Sequence, residues 1–163
     1  NVCSRVGAGT RFRICIPGLD SEAEAAPCPA KAPEPVGGSG ETILLVEDDT
    51  AIRNLVRLGL QRSGYGVIEA ADAAEGLARF KEAGSRISVV LTDIVMPGGI
   101  SGKELAEQIR ALAPGTRIVF TSGYAPGSGK TGFALGPAET FVAKPYKLQE
   151  LLDVIRKQIE SGN

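Results

Sequence analysis

Apolar residues along this chain fall into two periodic patterns that alternate from residue 41 onward. Short apolar runs rich in β-branched residues are typical of strands buried on both faces of a parallel sheet. Between them, apolar residues recur at the three- and four-residue spacing of amphipathic helices. The predicted strands are residues 42–46, 66–70, 87–91, 117–121 and 140–143, and the predicted helices are residues 50–63, 73–83, 102–113 and 147–159. This alternation predicts a doubly wound α/β domain with a five-stranded parallel sheet and right-handed crossovers.

The predicted helices carry boundary signals and apolar faces. Asp72 and Ser101 are predicted N-caps, and Gly84 is predicted to end the second helix. Leu55 in the first helix and Leu112 in the third are predicted to face the core with their periodic neighbours. Residues 125–137 are rich in Gly and Pro and have no helical period, so a loop or frayed helix is expected there.

The first forty residues follow a different pattern. Residues 10–16 alternate polar and apolar side chains after a turn at Gly7 and Gly9, which predicts a half-exposed strand. Residues 17–40 are rich in Ala, Pro, Glu and Gly, the composition of a linker. The predicted division is therefore a strand-bearing segment at 1–16, a linker at 17–40 and an α/β domain at 41–163.

Composition excludes several classes of function. The net charge is -1, which gives no support to nucleic-acid binding. No apolar run approaches the roughly 20 residues that span a bilayer, so no membrane contact is expected. Three cysteines without paired spacing favour a reduced, cytoplasmic setting over a disulfide framework. The chain has no His, which excludes a phosphohistidine donor within it, and lacks an initiator Met, so we expect a part of a larger protein.

Polar groups stand at four of the predicted strand ends. Glu47 and Asp48 follow the first strand, Asp93 the third, Thr121 ends the fourth, and Lys144 follows the fifth. Because parallel strands end at one edge of the sheet, these groups are expected to converge there. Three carboxylates repel one another unless a cation lies between them, and all-oxygen ligation favours Mg²⁺. With an ammonium and a hydroxyl nearby, Asp93 is predicted to accept a phosphoryl group.

Four motifs at these positions resemble the receiver domain of two-component response regulators. They are Leu-Leu-Val-Glu-Asp-Asp, Leu-Thr-Asp-Ile-Val-Met-Pro, Phe-Thr-Ser-Gly-Tyr and Phe-Val-Ala-Lys-Pro-Tyr, in family order from residue 41 to about 160. The resemblance implies a flavodoxin-like, three-layer α/β/α fold with sheet order 2-1-3-4-5. It also implies a phosphoacceptor that takes its phosphoryl group from a phosphohistidine and then changes conformation.

The resemblance assigns roles residue by residue. Asp93 is the phosphoacceptor. Lys144 binds the phosphoryl group, and the residue that follows it, Pro145, has a cis peptide bond. The Mg²⁺ ligands are Glu47 and Asp48, with Asp48 binding directly, together with Asp93 and the backbone carbonyl of Val95. Thr121 and Phe141 form the switch pair. The loop of residues 96–102 is one residue longer than the family pattern, and the irregular 125–137 stretch falls where partner recognition usually lies.

Other interpretations of these residues stay open from the sequence. Asp49 is either a further metal ligand or a helix cap. Residues 127–131 invite comparison with a phosphate-binding loop, but Tyr124 stands where that motif requires Gly. The domain as a whole is alternatively a Mg²⁺-dependent phosphohydrolase, or a docking module that is never phosphorylated.

Residues 7–17 have a second resemblance, to the last glycine box and following strand of a histidine kinase ATP-binding domain. Together with the linker and receiver pattern, this implies the C-terminal end of a hybrid histidine kinase. No kinase activity is expected from this chain, because the rest of an ATP site is missing from it. The expected partners are a histidine kinase or phosphotransfer protein, in cis or in trans, and a homodimer is compatible with the pattern.

Overall fold

The structure, a computed structural model, describes residues 2–5, 7, 9–13, 38–97, 99–123 and 139–161. The chain divides into two compact units, Asn1–Ala32 and Pro33–Asn163. Residues 17–37 of the predicted linker and the whole irregular stretch 125–137 lie outside the described residues, and so does the 127–131 segment within it.

The smaller unit contains an antiparallel hairpin of β1 (Val2–Arg5) and β2 (Gly9–Phe12). Its connection uses positive φ angles at Gly7 and Gly9, of 78° and 88°. The predicted strand at 10–16 is confirmed from Thr10 to Phe12, but it ends before Arg13, and residues 14–16 are not among those described. Both strands are exposed at every position, because the hairpin has no partner layer within the described part of its unit.

The larger unit follows the predicted alternation of strands and helices. Its elements are β3 (Thr42–Val46), α1 (Thr50–Arg62), β4 (Gly66–Ala70), α2 (Ala73–Ala83), a 3-10 turn (Gly84–Arg86), β5 (Ile87–Asp93), α3 (Gly102–Leu112), β6 (Arg117–Ser122), β7 (Thr140–Ala143) and α4 (Leu148–Glu160). The strand carrying Asp93 runs two residues further than predicted and includes that aspartate.

The five strands of this unit form one parallel sheet in the order β4-β3-β5-β6-β7. When only the five strands of this sheet are numbered, in chain order, the arrangement is 2-1-3-4-5. The predicted flavodoxin-like topology is therefore confirmed. The register pairs Val46 with Thr92 and Asp93 with Thr121. Glu47, Asp93 and Thr121 therefore stand next to one another along the carboxyl edge of three adjacent strands.

Apolar side chains cover both faces of the sheet and make the three-layer architecture. One core packs α2 and α3 against the sheet, with Phe80, Leu105, Ile109 and Phe120 among its buried members. The opposite core packs α1 and α4 through residues that include Val56, Leu60, Leu151 and Ile155. Burial on both faces explains why the central strands are almost entirely apolar.

Two predicted core residues are instead exposed. Leu55 is 72% exposed, because it lies roughly 90° around α1 from the centre of the face that packs on the sheet. Leu112 is 56% exposed at the last residue of α3, where it lines an open cleft of about 370 Å³ with Phe80 and Ile87. Helical periodicity indicates which residues share a face, but not how much of that face the neighbouring elements cover.

The predicted boundary residues of α2 and α3 are confirmed by their capping contacts. The Asp72 carboxylate accepts a hydrogen bond from the backbone N–H of Glu75 at 2.8 Å, and Gly84 ends α2 with φ of 54°. Ser101 and Glu104 form a reciprocal capping box at the start of α3, and these hydrogen bonds lower the pKa of Glu104.

Among the helices that the structure describes, none has the length and apolar character needed to cross a membrane.

Candidate functional site

The turn after β3 holds an acidic pair and a helix cap. Glu47 is 2% exposed, and its backbone N–H donates to the carbonyl of Ala70 at 3.2 Å. Asp48 follows and is partly exposed. The Asp49 carboxylate accepts hydrogen bonds from the backbone N–H groups of Ala51 and Ile52, which lower its pKa. Asp49 is therefore committed to capping α1, and the capping interpretation of this residue is the one the geometry favours.

Asp93 closes the central strand β5 and is 8% exposed. Its Oδ1 atom accepts a hydrogen bond from the backbone N–H of Val95 at 3.1 Å. The next backbone N–H, that of Ile94, donates to the carbonyl of Thr121 at 2.9 Å and extends the contact with β6. These backbone contacts hold the carboxylate at the edge of the sheet rather than in a mobile loop.

Lys144 joins the two buried carboxylates. Its Nζ atom lies 2.6 Å from Glu47 Oε2 and 2.6 Å from Asp93 Oδ2. Lys144 is fixed by its backbone N–H, which donates to the carbonyl of Ser122 at 2.8 Å, and the peptide bond to Pro145 is cis, as predicted. The side chain comes from a position 97 residues after Glu47, so only the fold brings this cluster together.

The electrostatics of the cluster reflect both burial and pairing. Burial raises the pKa of Glu47 despite the opposing effect of Lys144. Burial by itself lowers the pKa of Lys144, but its hydrogen bonds to Asp93 and Glu47 outweigh burial and leave that pKa raised. Lys144 is therefore an ammonium at neutral pH, and it offsets part of the repulsion between the carboxylates.

The donor set fits a hard divalent cation. Glu47, Asp48 and Asp93 each offer a carboxylate oxygen, and these oxygens lie within 4.8 Å of one another. Within the part of the chain that the structure describes, these three are the acidic, His or Cys side chains that lie close enough together to share a metal ion. Oxygen ligands without nitrogen or sulfur are the set that Mg²⁺ prefers, and Asp48 leaves the site accessible from solvent.

The predicted switch pair lies beside this cluster. The Thr121 side chain is buried, and its hydroxyl donates to the carbonyl of Thr92 at 3.5 Å. Phe141 is partly buried and packs against the core on the α2 and α3 side of the sheet. Phe141 pairs with Phe120 in the β6–β7 register, one residue before Thr121.

The sequence interpretation gave no role to three residues near the site. Arg53 contacts the backbone of the acidic pair, and Gly102 packs against the backbone of Asp93. Tyr146 lies near Lys144, and burial raises its pKa to about 12, so it is neutral at physiological pH. A Gly at a helix start and an Arg one turn into a helix are too common to single out from sequence, although both positions adjoin the recognised motifs.

Comparison with known proteins identifies the family. The sequence model of the family described as the response regulator receiver domain matches residues 43–156, which is most of the chain. The chain belongs to this family. It contains a receiver domain of two-component signalling systems, and its acidic pocket fits the Mg²⁺ and phosphoacceptor site of such domains.

Similar proteins agree with this assignment. Over 164 aligned residues the chain is 34% identical to the sensor kinase CckA of Brucella abortus, an alignment that covers 96% of this chain and 17% of the kinase. The crystal structure of the receiver domain from the hybrid histidine kinase CckA is similar with TM-score 0.61 and 33% identity, covering 72% of this chain and 98% of that one. The response regulator TrrA of Thermotoga maritima, solved in complex with Mg²⁺-BeF, gives TM-score 0.63 and 30% identity, with 72% and 98% covered.

The family membership has a consequence for the cofactor. Receiver domains bind Mg²⁺ in an acidic pocket, and this chain has such a pocket. The chain spans about a sixth of the length of the CckA kinase and about half of several other curated relatives.

Proposed function

We propose that Asp93 accepts the phosphoryl group in this receiver domain, with a phosphohistidine as donor. The observation that carries the proposal is the contact set of this carboxylate. Asp93 lies at the end of the central strand, within the three-carboxylate group and 2.6 Å from Lys144. In the transfer, a carboxylate oxygen forms a bond to phosphorus while the bond from phosphorus to the donor breaks, and the leaving group keeps that electron pair.

The surrounding side chains provide electrostatic support for this step. Glu47, Asp48 and Asp93, with the carbonyl of Val95, would hold Mg²⁺, which supplies positive charge beside the phosphoryl oxygens when bound. Lys144 moves its ammonium from the carboxylates toward the new phosphoryl group. The hydroxyl of Thr121 exchanges its long bond to the Thr92 carbonyl for a phosphoryl oxygen.

The same rearrangement gives a conformational output. As Thr121 moves toward the phosphoryl group, it vacates space beside β7, and Phe141 moves inward from its partly buried position. This role of the pair as a switch is supported by their places on adjacent, paired strands.

The proposal is tested by measuring intact mass after incubation with MgCl₂ and acetyl phosphate. We expect one phosphate per chain, and none when a chelator removes the metal. Released phosphate is measured in parallel, because a phosphohydrolase would release many equivalents per chain whereas a receiver is modified once and loses phosphate slowly. Folded protein that takes up no phosphate would contradict the proposal and favour the docking-module alternative.

Replacing Lys144 with Met is expected to make folding more dependent on Mg²⁺. Without the ammonium, the buried carboxylates of Glu47 and Asp93 repel each other, so the metal-free variant loses about 2 kcal/mol of stability. This value is below that of a fully buried pair, since the Lys144 side chain remains 16% exposed. Thermal unfolding with and without MgCl₂ should show a larger stabilisation by metal in the variant than in the wild type.

Lys147→Met is the matched control for this experiment. Lys147 is exposed and precedes α4, and its replacement changes net charge by the same amount. The control should keep the wild-type response to Mg²⁺. An equal metal response in Lys144→Met and wild type would show that Lys144 does not share the cation site.

We further infer that the parent protein is a hybrid histidine kinase and that the division at 1–16, 17–40 and 41–163 reflects a kinase remnant, a linker and the receiver. The similarity to the CckA kinase supports this inference because it includes the segment before the receiver. A cytoplasmic location belongs to the same inference. Incubation with ATP and Mg²⁺ alone should leave Asp93 unmodified, and phosphorylation without an added kinase would contradict the remnant interpretation.

A further inference from the structure

Arg53 of α1 reaches back to the backbone of the acidic pair. Its Nη1 atom donates to the carbonyl of Glu47 at 2.6 Å and to the carbonyl of Asp48 at 3.3 Å. These carbonyls belong to the two peptide groups that flank the Asp48 Cα atom. Because each peptide group is planar, holding both oxygens from one guanidinium restricts φ and ψ of Asp48 together. The direction of the Asp48 side chain is thereby restricted as well.

Arg53 is itself held in place. Its Nε atom lies 3.8 Å from Glu69 Oε2 on β4, and its side chain is 15% exposed. Its Nη2 atom donates to the hydroxyl of Thr50 at 3.4 Å. Glu69 also pairs with Arg57, whose Nε atom lies 3.2 Å from Glu69 Oε1. The guanidinium therefore has fixed contacts on strand β4, on the first turn of α1 and on the acidic turn.

We infer that Arg53, anchored by Glu69, is a positioning residue that orients Asp48 for binding a divalent cation. The inference rests on the proposed function, since it assigns a role in the same cation site. Arg53 acts through the backbone of the ligand residues rather than by touching the ion. Groups that orient metal ligands in this way commonly change metal affinity about 10- to 100-fold when removed.

Two physical effects of Arg53 have opposite signs, which makes the inference testable. A nearby positive charge repels Mg²⁺, so its removal by itself would tighten metal binding. Loss of orientation frees the Asp48 backbone and weakens metal binding. We expect orientation to dominate, because the charge of Arg53 is already paired with Glu69 whereas no other described contact holds both carbonyls.

The test is an NMR titration of the full chain with MgCl₂, following amide shifts near the acidic turn. Arg53→Ala is expected to raise the Kd for Mg²⁺ about 10-fold. Arg53→Lys should recover part of this loss, because an ammonium can still donate to the carbonyls. The Mg²⁺ concentration for half-maximal phosphorylation by acetyl phosphate should rise in the same proportion, while the rate at saturating Mg²⁺ stays near that of the wild type.

Arg57→Ala is the matched control. Arg57 lies one turn further along α1 and shares Glu69, but its described contacts do not reach the acidic turn. Its removal changes the net charge by the same amount and should leave the Kd within about twofold of the wild type. Should Arg53→Ala fail to fold, Glu69→Gln tests the anchor with Glu75→Gln as its charge control, and we expect a several-fold weaker affinity only in the former.

The outcomes separate this inference from the proposed function. An unchanged or tighter Kd in Arg53→Ala, or an equal loss in Arg57→Ala, overturns the positioning role while the cation site stands. If the Glu69→Gln and Glu75→Gln variants bind Mg²⁺ with equal affinity, that result also overturns the positioning role. A wild-type chain that does not bind Mg²⁺ overturns the inference together with the proposed function.

Discussion

Asp93→Asn is expected to reduce phosphate incorporation from one equivalent per chain to none that is detectable. The amide cannot act as the nucleophile that bonds to phosphorus, and it also removes one oxygen anion from the cation site. The fold should persist, because Lys144 keeps its contact with Glu47 and the substitution relieves repulsion between carboxylates. Intact-mass measurement after incubation with acetyl phosphate and MgCl₂ checks this result.

Asp49→Asn is a suitable control for the acceptor assignment. Asp49 is also acidic and near the site, but it caps α1 and is not one of the three carboxylates that can share a metal. Asn is an equally good N-cap, so both stability and phosphorylation should be retained. Phosphate found on Asp93→Asn would place the acceptor elsewhere, with Asp48 as the next carboxylate to test.

Gly102→Ala is expected to destabilise the domain by about 3 kcal/mol, at the upper end of what overpacking costs. A Cβ atom at this position would overlap the carbonyl oxygen of Asp93 and would lie 2.8 Å from Thr92 Oγ1. The obstructing atom is backbone, so it cannot move aside without displacing the end of β5. The backbone N–H of Gly102 also donates to the carbonyl of Ile94 at 3.1 Å, which holds the start of α3 against this strand.

The same substitution should slow phosphorylation, because the displaced carbonyl belongs to the acceptor residue. Urea unfolding measures the stability change, and acetyl phosphate labelling measures the rate. Gly99→Ala, in the loop that precedes α3, is the control, since apart from the adjoining residues no atom lies within 4 Å of a Cβ atom built there. The control should change stability by less than about 0.5 kcal/mol. Equal urea midpoints for the two variants would contradict the packing argument.

The sequence motifs predicted which residues form the site but not all of the contacts between them. Strand-end chemistry predicted that Glu47, Asp93 and Lys144 lie together, since parallel strands must end at a common edge. It could not predict that Lys144 bridges both carboxylates, which depends on where β7 ends relative to β3. For Asp49, sequence left two interpretations, and only the local geometry of the α1 N-terminus distinguished them.

The sequence by itself determined the order of strands and helices, the fold class and the acidic, hydroxyl and ammonium groups at the strand ends. These features can be predicted from local signals, because the hydrophobic period, the helix caps and the strand-terminal residues each involve only a few neighbouring positions. Tertiary structure alone decided the exposure of Leu55 and Leu112, which depends on what neighbouring elements cover. It also decided the contacts of Arg53 and Gly102 with the acidic turn and Asp93. The Arg53 contacts span only five and six positions along the chain, but they depend on how α1 leaves the acidic turn, and no periodic pattern encodes that geometry.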